Sequence, residues 1–144
     1  MRPVVIYACE TWVLKENIKT ILKVFERKVL RRIYGPTNQK DGTWRIKTNE
    51  EMNRLSDNKN IINYIKAQRL AWFRHVHRMP ETSMVKKVYE WSPTQTRSLG
   101  RPNNRWEDDV KSDITKMEIN WKECIRNRIK WKKLVEKAKT SLKL

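Results

Sequence analysis

Arg27, Lys28, Arg31 and Arg32 form two pairs spaced four residues apart. On a helix that spacing stacks each pair along one side, and four cations so placed suit a row of phosphates. Arg69, Arg74 and Arg78 add a second basic series, with no acidic residue anywhere between Lys59 and Met79. The opposite charge is concentrated in Glu107, Asp108, Asp109 and Asp113. Neighbouring aspartates are magnesium-ligand types, but successive helical positions face different ways, and acids also favour a first helical turn through its dipole. The structural reading of that cluster is therefore preferred. His75 and His77 are two apart, which puts their rings on nearly opposite sides of a helix, whereas metal-binding pairs sit at i, i+4. His75 is a candidate phosphate contact beside its packing reading. Cys9 and Cys124 lie far apart and make no zinc finger, knuckle or ribbon. There is no Gly-rich phosphate loop, nucleophile elbow or metal-ligand set. The expectation is no catalytic residue, no metal, no cofactor and no small-molecule substrate.

The chain has 144 residues with 33 Lys+Arg against 16 Asp+Glu, a net charge of +17. A domain-sized chain with that surplus self-repels unless a polyanion is present, and nucleic acid is the commonest polyanion. Hydrophobic residues make up 38%, with seven tryptophans, which argues for a folded core rather than a disordered basic tail. Cysteine usage gives no disulfide framework, so an intracellular setting, nuclear or cytoplasmic, is expected. No apolar run approaches the roughly 18 residues of a membrane span, and no membrane partner is expected. The apolar stretch over 4–9 is short and followed by Glu10, unlike a signal peptide.

Periodicity places these residues on an all-α fold, a small irregular bundle of five to seven helices. Val4, Ala8 and Trp12 favour a helix over 2–12 rather than a buried strand over 3–9. Ile18, Leu22, Phe25, Val29 and Ile33 form an apolar stripe expected to be buried on a helix over 15–34, stopped by Gly35-Pro36. A polar connector over 37–47 carries the turn signal Asp41-Gly42. Thr48 and Glu51 fit a capping box for a short helix to Leu55. Asp57 or Asn58 then caps a helix over 59–79, ended by Pro80, whose buried side includes Ile65, Leu70 and Phe73. A short helix covers 83–91. The stretch 92–104 reads as a mobile basic linker loop. Asn104 is a candidate cap for a helix from Arg105, and a continuous last helix covers 121–140. Trp72, Trp106, Trp121 and Trp131 fall on or near apolar faces and are expected in the core; Trp44 and Trp91 lie near turns. The organisation is 1–91 as a helical segment, 92–104 as linker and 105–144 as a C-terminal helical pair.

Five segments in order carry a family likeness. They are Tyr7 with Glu10-Thr11-Trp12; Phe25-Glu26-Arg27-Lys28-Val29-Leu30-Arg31-Arg32-Ile33 with Gly35-Pro36; Arg69-Leu70, Trp72, His75-Val76 and Arg78-Met79; Gly100-Arg101-Pro102, Arg105-Trp106, Asp108, Val110 and Asp113; and Arg128, Trp131 and Leu134-Val135. Together they resemble, nearly end to end, the C-terminal part of reverse transcriptases of non-LTR (LINE-type) retrotransposons, just after the polymerase palm. Ala8 stands where that family usually has glycine, and Leu99 where a basic residue often precedes Gly-Arg-Pro.

The resemblance implies a thumb-like 1–91 segment and a chain that grips nucleic acid without the family's catalytic aspartate tetrad or endonuclease, and so is silent as an enzyme. The implied partners are an RNA–DNA hybrid or duplex DNA, and the rest of the reverse transcriptase. The candidate contacts are Arg27, Lys28, Arg31, Arg32, Arg69, Arg74, His75, Arg78, Arg101, Arg105 and Arg128. Gly100-Arg101-Pro102 is similar to the centre of an AT-hook, although a linker reading is preferred. The alternatives are a stand-alone DNA-binding module using that loop and an inert transposon remnant.

Overall fold

Asn60, rather than the expected Asp57 or Asn58, caps the helix on which the others assemble: its Oδ1 accepts the backbone N–H of Asn63 at 2.7 Å. The computed structural model describes residues 2–57, 59–91, 105–117 and 120–141. In chain order the helices are α1 (Arg2–Val5), a 3-10 turn (Cys9–Thr11), α2 (Glu16–Tyr34), α3 (Asn49–Leu55), α4 (Ile61–His77), α5 (Met84–Glu90), α6 (Trp106–Lys116), α7 (Trp121–Cys124) and α8 (Arg128–Ser141). A two-stranded antiparallel ribbon, β1 (Thr37–Asn38) and β2 (Trp44–Arg45), pairs Thr37 with Arg45 and Asn38 with Trp44. The fold is the mostly helical bundle that the periodicity predicts. The expected linker loop over 92–104, with Gly100-Arg101-Pro102 and the candidate cap Asn104, lies outside the described residues, as does Asn58.

α4 carries both halves of the core. Its first turns bury Ile61, Ile62 and Ile65 against Cys9, Leu14 and Leu22. Its later turns bury Ala67, Leu70 and Phe73 against Val110 and Ile114 of α6 and Trp131, Leu134 and Ala138 of α8. Trp131 also donates its indole N–H to the Leu70 carbonyl at 3.2 Å. Trp106 and Trp121 pack against the same cluster and Trp72 is half-buried, while Trp44 and Trp91 are exposed.

Local signals place several ends. Gly35 (φ 62°) closes α2 in the left-handed region that glycine adopts freely, and its N–H reaches the Arg31 carbonyl at 3.0 Å. Thr48 and Glu51 make the expected capping box, and Arg45 bonds the same Glu51 at 2.6 Å. The Arg45 guanidinium, followed by the Thr48 N–H, draws the Glu51 carboxyl down to about 2.

Three expectations are corrected. The helix over 2–12 is interrupted, because Ala8 takes a left-handed conformation (φ 54°, ψ 24°) and the chain resumes as a 3-10 turn. The last helix is two helices: the chain turns after Cys124, and Asn127 Oδ1 caps α8 by accepting from Ile129 and Lys130 at 3.0 and 3.1 Å. The α2 stripe is buried only at its start. Leu22 is in the core and Ile18 packs beside it, but Phe25 is 36% and Ile33 68% exposed, because α4 crosses α2 near Leu22 and, among the described residues, the later turns meet only α3, across an open groove.

Ala8 yields a first expected outcome. A left-handed alanine carries a cost of roughly 1–2 kcal/mol that glycine avoids. Ala8→Gly should therefore raise the urea midpoint by the equivalent of about 1 kcal/mol, once the glycine's greater unfolded-state freedom is subtracted. A lowered midpoint would mean that the alanine is unstrained there.

Candidate nucleic-acid interface

The α2 cations sit on the turns left open by the core. Lys28, Arg31 and Arg32 are exposed and Arg27 is half-buried. Arg31 Nη2 donates to Asn49 Oδ1 at 3.0 Å, which steadies it against α3. Between α2, the end of α3 and the start of α4 runs a groove of about 410 Å³, lined by Phe25, Val29, Leu30, Ile33, Tyr34 and Ile61, with Glu26, Ser56 and Lys59 at its polar edge. Lys59 thus lies across the groove from the apolar side of α2, and its Nζ is 3.4 Å from Asp57 Oδ2. Sequence reasoning passed over it because its neighbours come from elements more than twenty residues away.

The α4 series divides. Lys66 and Arg69 turn inward, and Arg69 leaves the set of candidate contacts. Its side chain is 1% exposed, its Nη2 bonds Asp109 Oδ2 at 2.7 Å, and its Nη1 lies 3.6 Å from Asp113 Oδ2. Lys66 Nζ bonds Asp113 Oδ1 at 2.8 Å. The reading that cations over 59–79 meet no acid fails here, since acids absent from the helix itself arrive from α6. Asp109 also accepts the Leu14 backbone N–H at 3.0 Å, tying the chain before α2 to α6. The acidic cluster is structural in these two members, as expected. Burial is the dominant influence on Lys66 and pushes its pKa down despite the Asp113 bond.

Arg74, Arg78 and His75 fall at the far end of α4. Arg74 Nε donates to the Ile125 carbonyl at 3.1 Å, and burial, then the charges of Arg78 and Arg128, lower its pKa. Arg78 and Arg128 are exposed. His75 is exposed, with its ring 5.2 Å from that of Trp72. Arg105 is the exposed residue preceding α6, and Arg101 lies outside the described residues. The basic residues therefore form two groups, one on α2 and one of Arg74, Arg78 and Arg128. Thirteen helical residues from Ile61 to Arg74 separate the groups by about 20 Å along α4.

His77 carries no signal in the sequence, yet it is enclosed. Its ring centroid lies 4.3 Å from Phe73, 5.2 Å from Tyr89 and 5.3 Å from Trp121, and Nε2 is 3.2 Å from the Tyr89 hydroxyl. Burial, then the Lys86 charge, lowers its pKa below the ordinary 6.5. Burial, then the Glu107 charge, raises that of Tyr89. The cluster locks α5 onto α4 and is a packing feature. Among the described residues no group of three or more His, Cys, Asp or Glu side chains is placed to share a metal ion, and no helix is long and apolar enough to cross a membrane.

No family model and no solved structure matches the chain. Among curated proteins, the chain is similar to a transposon-derived protein of Caenorhabditis elegans, 23% identical over 146 residues that cover 96% of this chain and 52% of that protein. The chain thus spans about half the length of the curated relative it matches.

Proposed function

We propose that this chain is a nucleic-acid-gripping portion of a transposon-encoded reverse transcriptase of the non-LTR type. It holds duplex DNA or an RNA–DNA hybrid by phosphate contacts and performs no catalytic step of its own. The observation that carries this reading is where the acids go. The Lys66–Asp113 and Arg69–Asp109 pairs enclose two charges of each sign, so they use two acids without reducing the chain's +17 surplus. A chain of that charge favours a polyanion. The transposon-derived relative supports the origin, and the five ordered segments support the finer assignment. Affinity then comes from phosphate neutralisation and is indifferent to base sequence. A hybrid is held by shape and backbone. The rest of such an enzyme is the natural protein partner.

The test uses Arg27→Ala/Arg31→Ala in fluorescence-anisotropy titrations over a salt series, on two unrelated duplexes. Each lost phosphate contact removes about 0.9 from the slope of log affinity against log salt. The double variant should therefore be shallower by up to about 2, equally on both duplexes. An unchanged slope would remove these residues from the interface. A loss confined to one duplex would favour base readout and the stand-alone binder. The purified chain should also give no metal-dependent primer extension; extension would make it an enzyme.

A further inference from the structure

Three guanidinium groups gather where α4 ends and α8 begins. Arg74 and Arg78 are four residues apart at the end of α4, so their side chains share one face. Arg74 crosses to the Ile125 carbonyl at 3.1 Å. That carbonyl belongs to the turn between α7 and α8, three residues before Arg128. The bond fixes the plane of the Arg74 guanidinium and leaves its Nη2 buried with no acceptor. Among the described residues no carboxylate pairs with Arg74, Arg78 or Arg128. Arg69, five residues earlier, is neutralised by two aspartates, although its Nε and Nη1 are likewise buried with no acceptor.

A buried N–H with no acceptor is costly, more so on a charged group, and three clustered cations repel one another. The repulsion is relieved by one ligand class, a compact oxyanion that faces Arg78 and Arg128 beside the Arg74 charge, whose own Nη2 is closed to solvent. A guanidinium is suited to a phosphate, whose oxygens take two N–H bonds at once.

We propose that Arg74, Arg78 and Arg128 form a single phosphate site that takes one backbone phosphodiester of nucleic acid bound across α2. This rests on the nucleic-acid reading above and adds a second anchor about 20 Å along α4 from the α2 group. Arg74, held by the Ile125 carbonyl, supplies a fixed charge. Arg78 and Arg128 are exposed and close on the phosphate from solvent.

The test leaves Arg74 in place, because it also holds the Ile125 carbonyl, and uses the exposed pair Arg78→Gln/Arg128→Gln. Two probes are used: inorganic phosphate, read as a shift in melting temperature against chloride at matched ionic strength, and a duplex salt series. Phosphate should raise the wild-type melting temperature but not that of the variant. The variant's salt slope should be shallower by about 0.9, the worth of one phosphate. Wild-type phosphate stabilisation and wild-type slope in the variant would overturn the site while duplex binding through α2 stood. Lost phosphate stabilisation with an unchanged slope would overturn the assignment to the nucleic-acid backbone. A wild-type chain stabilised by phosphate but without duplex affinity would overturn the functional reading, and the backbone assignment with it.

Discussion

Asp113→Ala is expected to cost about 3–5 kcal/mol, the range for removing one partner of a buried ion pair. Asp113 lies within ion-pair distance of both Lys66 and Arg69, whose side chains are almost wholly buried. Its removal leaves Lys66 in a site where burial already disfavours its charge. It also leaves Arg69 to Asp109 alone. Stability of a domain this size is of order 5–15 kcal/mol, so the variant should unfold at a much lower urea concentration. The penalty belongs to the stranded charge rather than to lost attraction, which gives a second arm. Lys66→Met/Asp113→Leu should be more stable than Asp113→Ala, because it strands no lysine while Arg69 keeps Asp109 in both. A loss below about 1 kcal/mol in Asp113→Ala would mean that water reaches the carboxylate and that the core between α4 and α6 is open.

The chain's two phenylalanines should respond very differently. Phe73 is wholly buried, its ring centroid 5.3 Å from that of Trp121 and 6.3 Å from that of Trp131. Phe73→Ala is expected to cost roughly 3–5 kcal/mol and to change the tryptophan emission. Phe25 lines an open groove, and Phe25→Ala should cost about 1 kcal/mol or less, as surface changes do. Equal losses from both would mean that the later turns of α2 are covered.

That contrast also separates what is legible in the sequence from what is not. Phe25 and Phe73 both occupy apolar stripes of helical period. Periodicity marks the side of a helix that prefers to leave water but does not say which element arrives to cover it. Features settled within a few residues were legible: the Thr48–Glu51 capping box, the Gly35 stop and the α4 core residues. The Asn127 cap was missed, because the apolar spacing of 121–140 continues across it and hides the break. The ion network was not legible, because Asp109 and Asp113 meet Arg69 and Lys66 across 40 and 47 residues of chain. A charge tally along one helix has no means of finding partners on another. The same distance effect hid the placement of Lys59 beside α2 and the convergence of Arg128 on Arg74.

The central claim is that this chain holds nucleic acid through its phosphates. Its most direct test is the salt dependence of wild-type affinity for a random-sequence duplex and for an RNA–DNA hybrid of the same length. On the proposed function the four α2 cations and the Arg74 group would together engage about four or more phosphates, so log affinity should fall against log salt with a slope of about −4 or steeper on the duplex. It should fall steeply on the hybrid as well, with little change between sequences. A shallow slope, or affinity for neither ligand at low salt, would contradict the account.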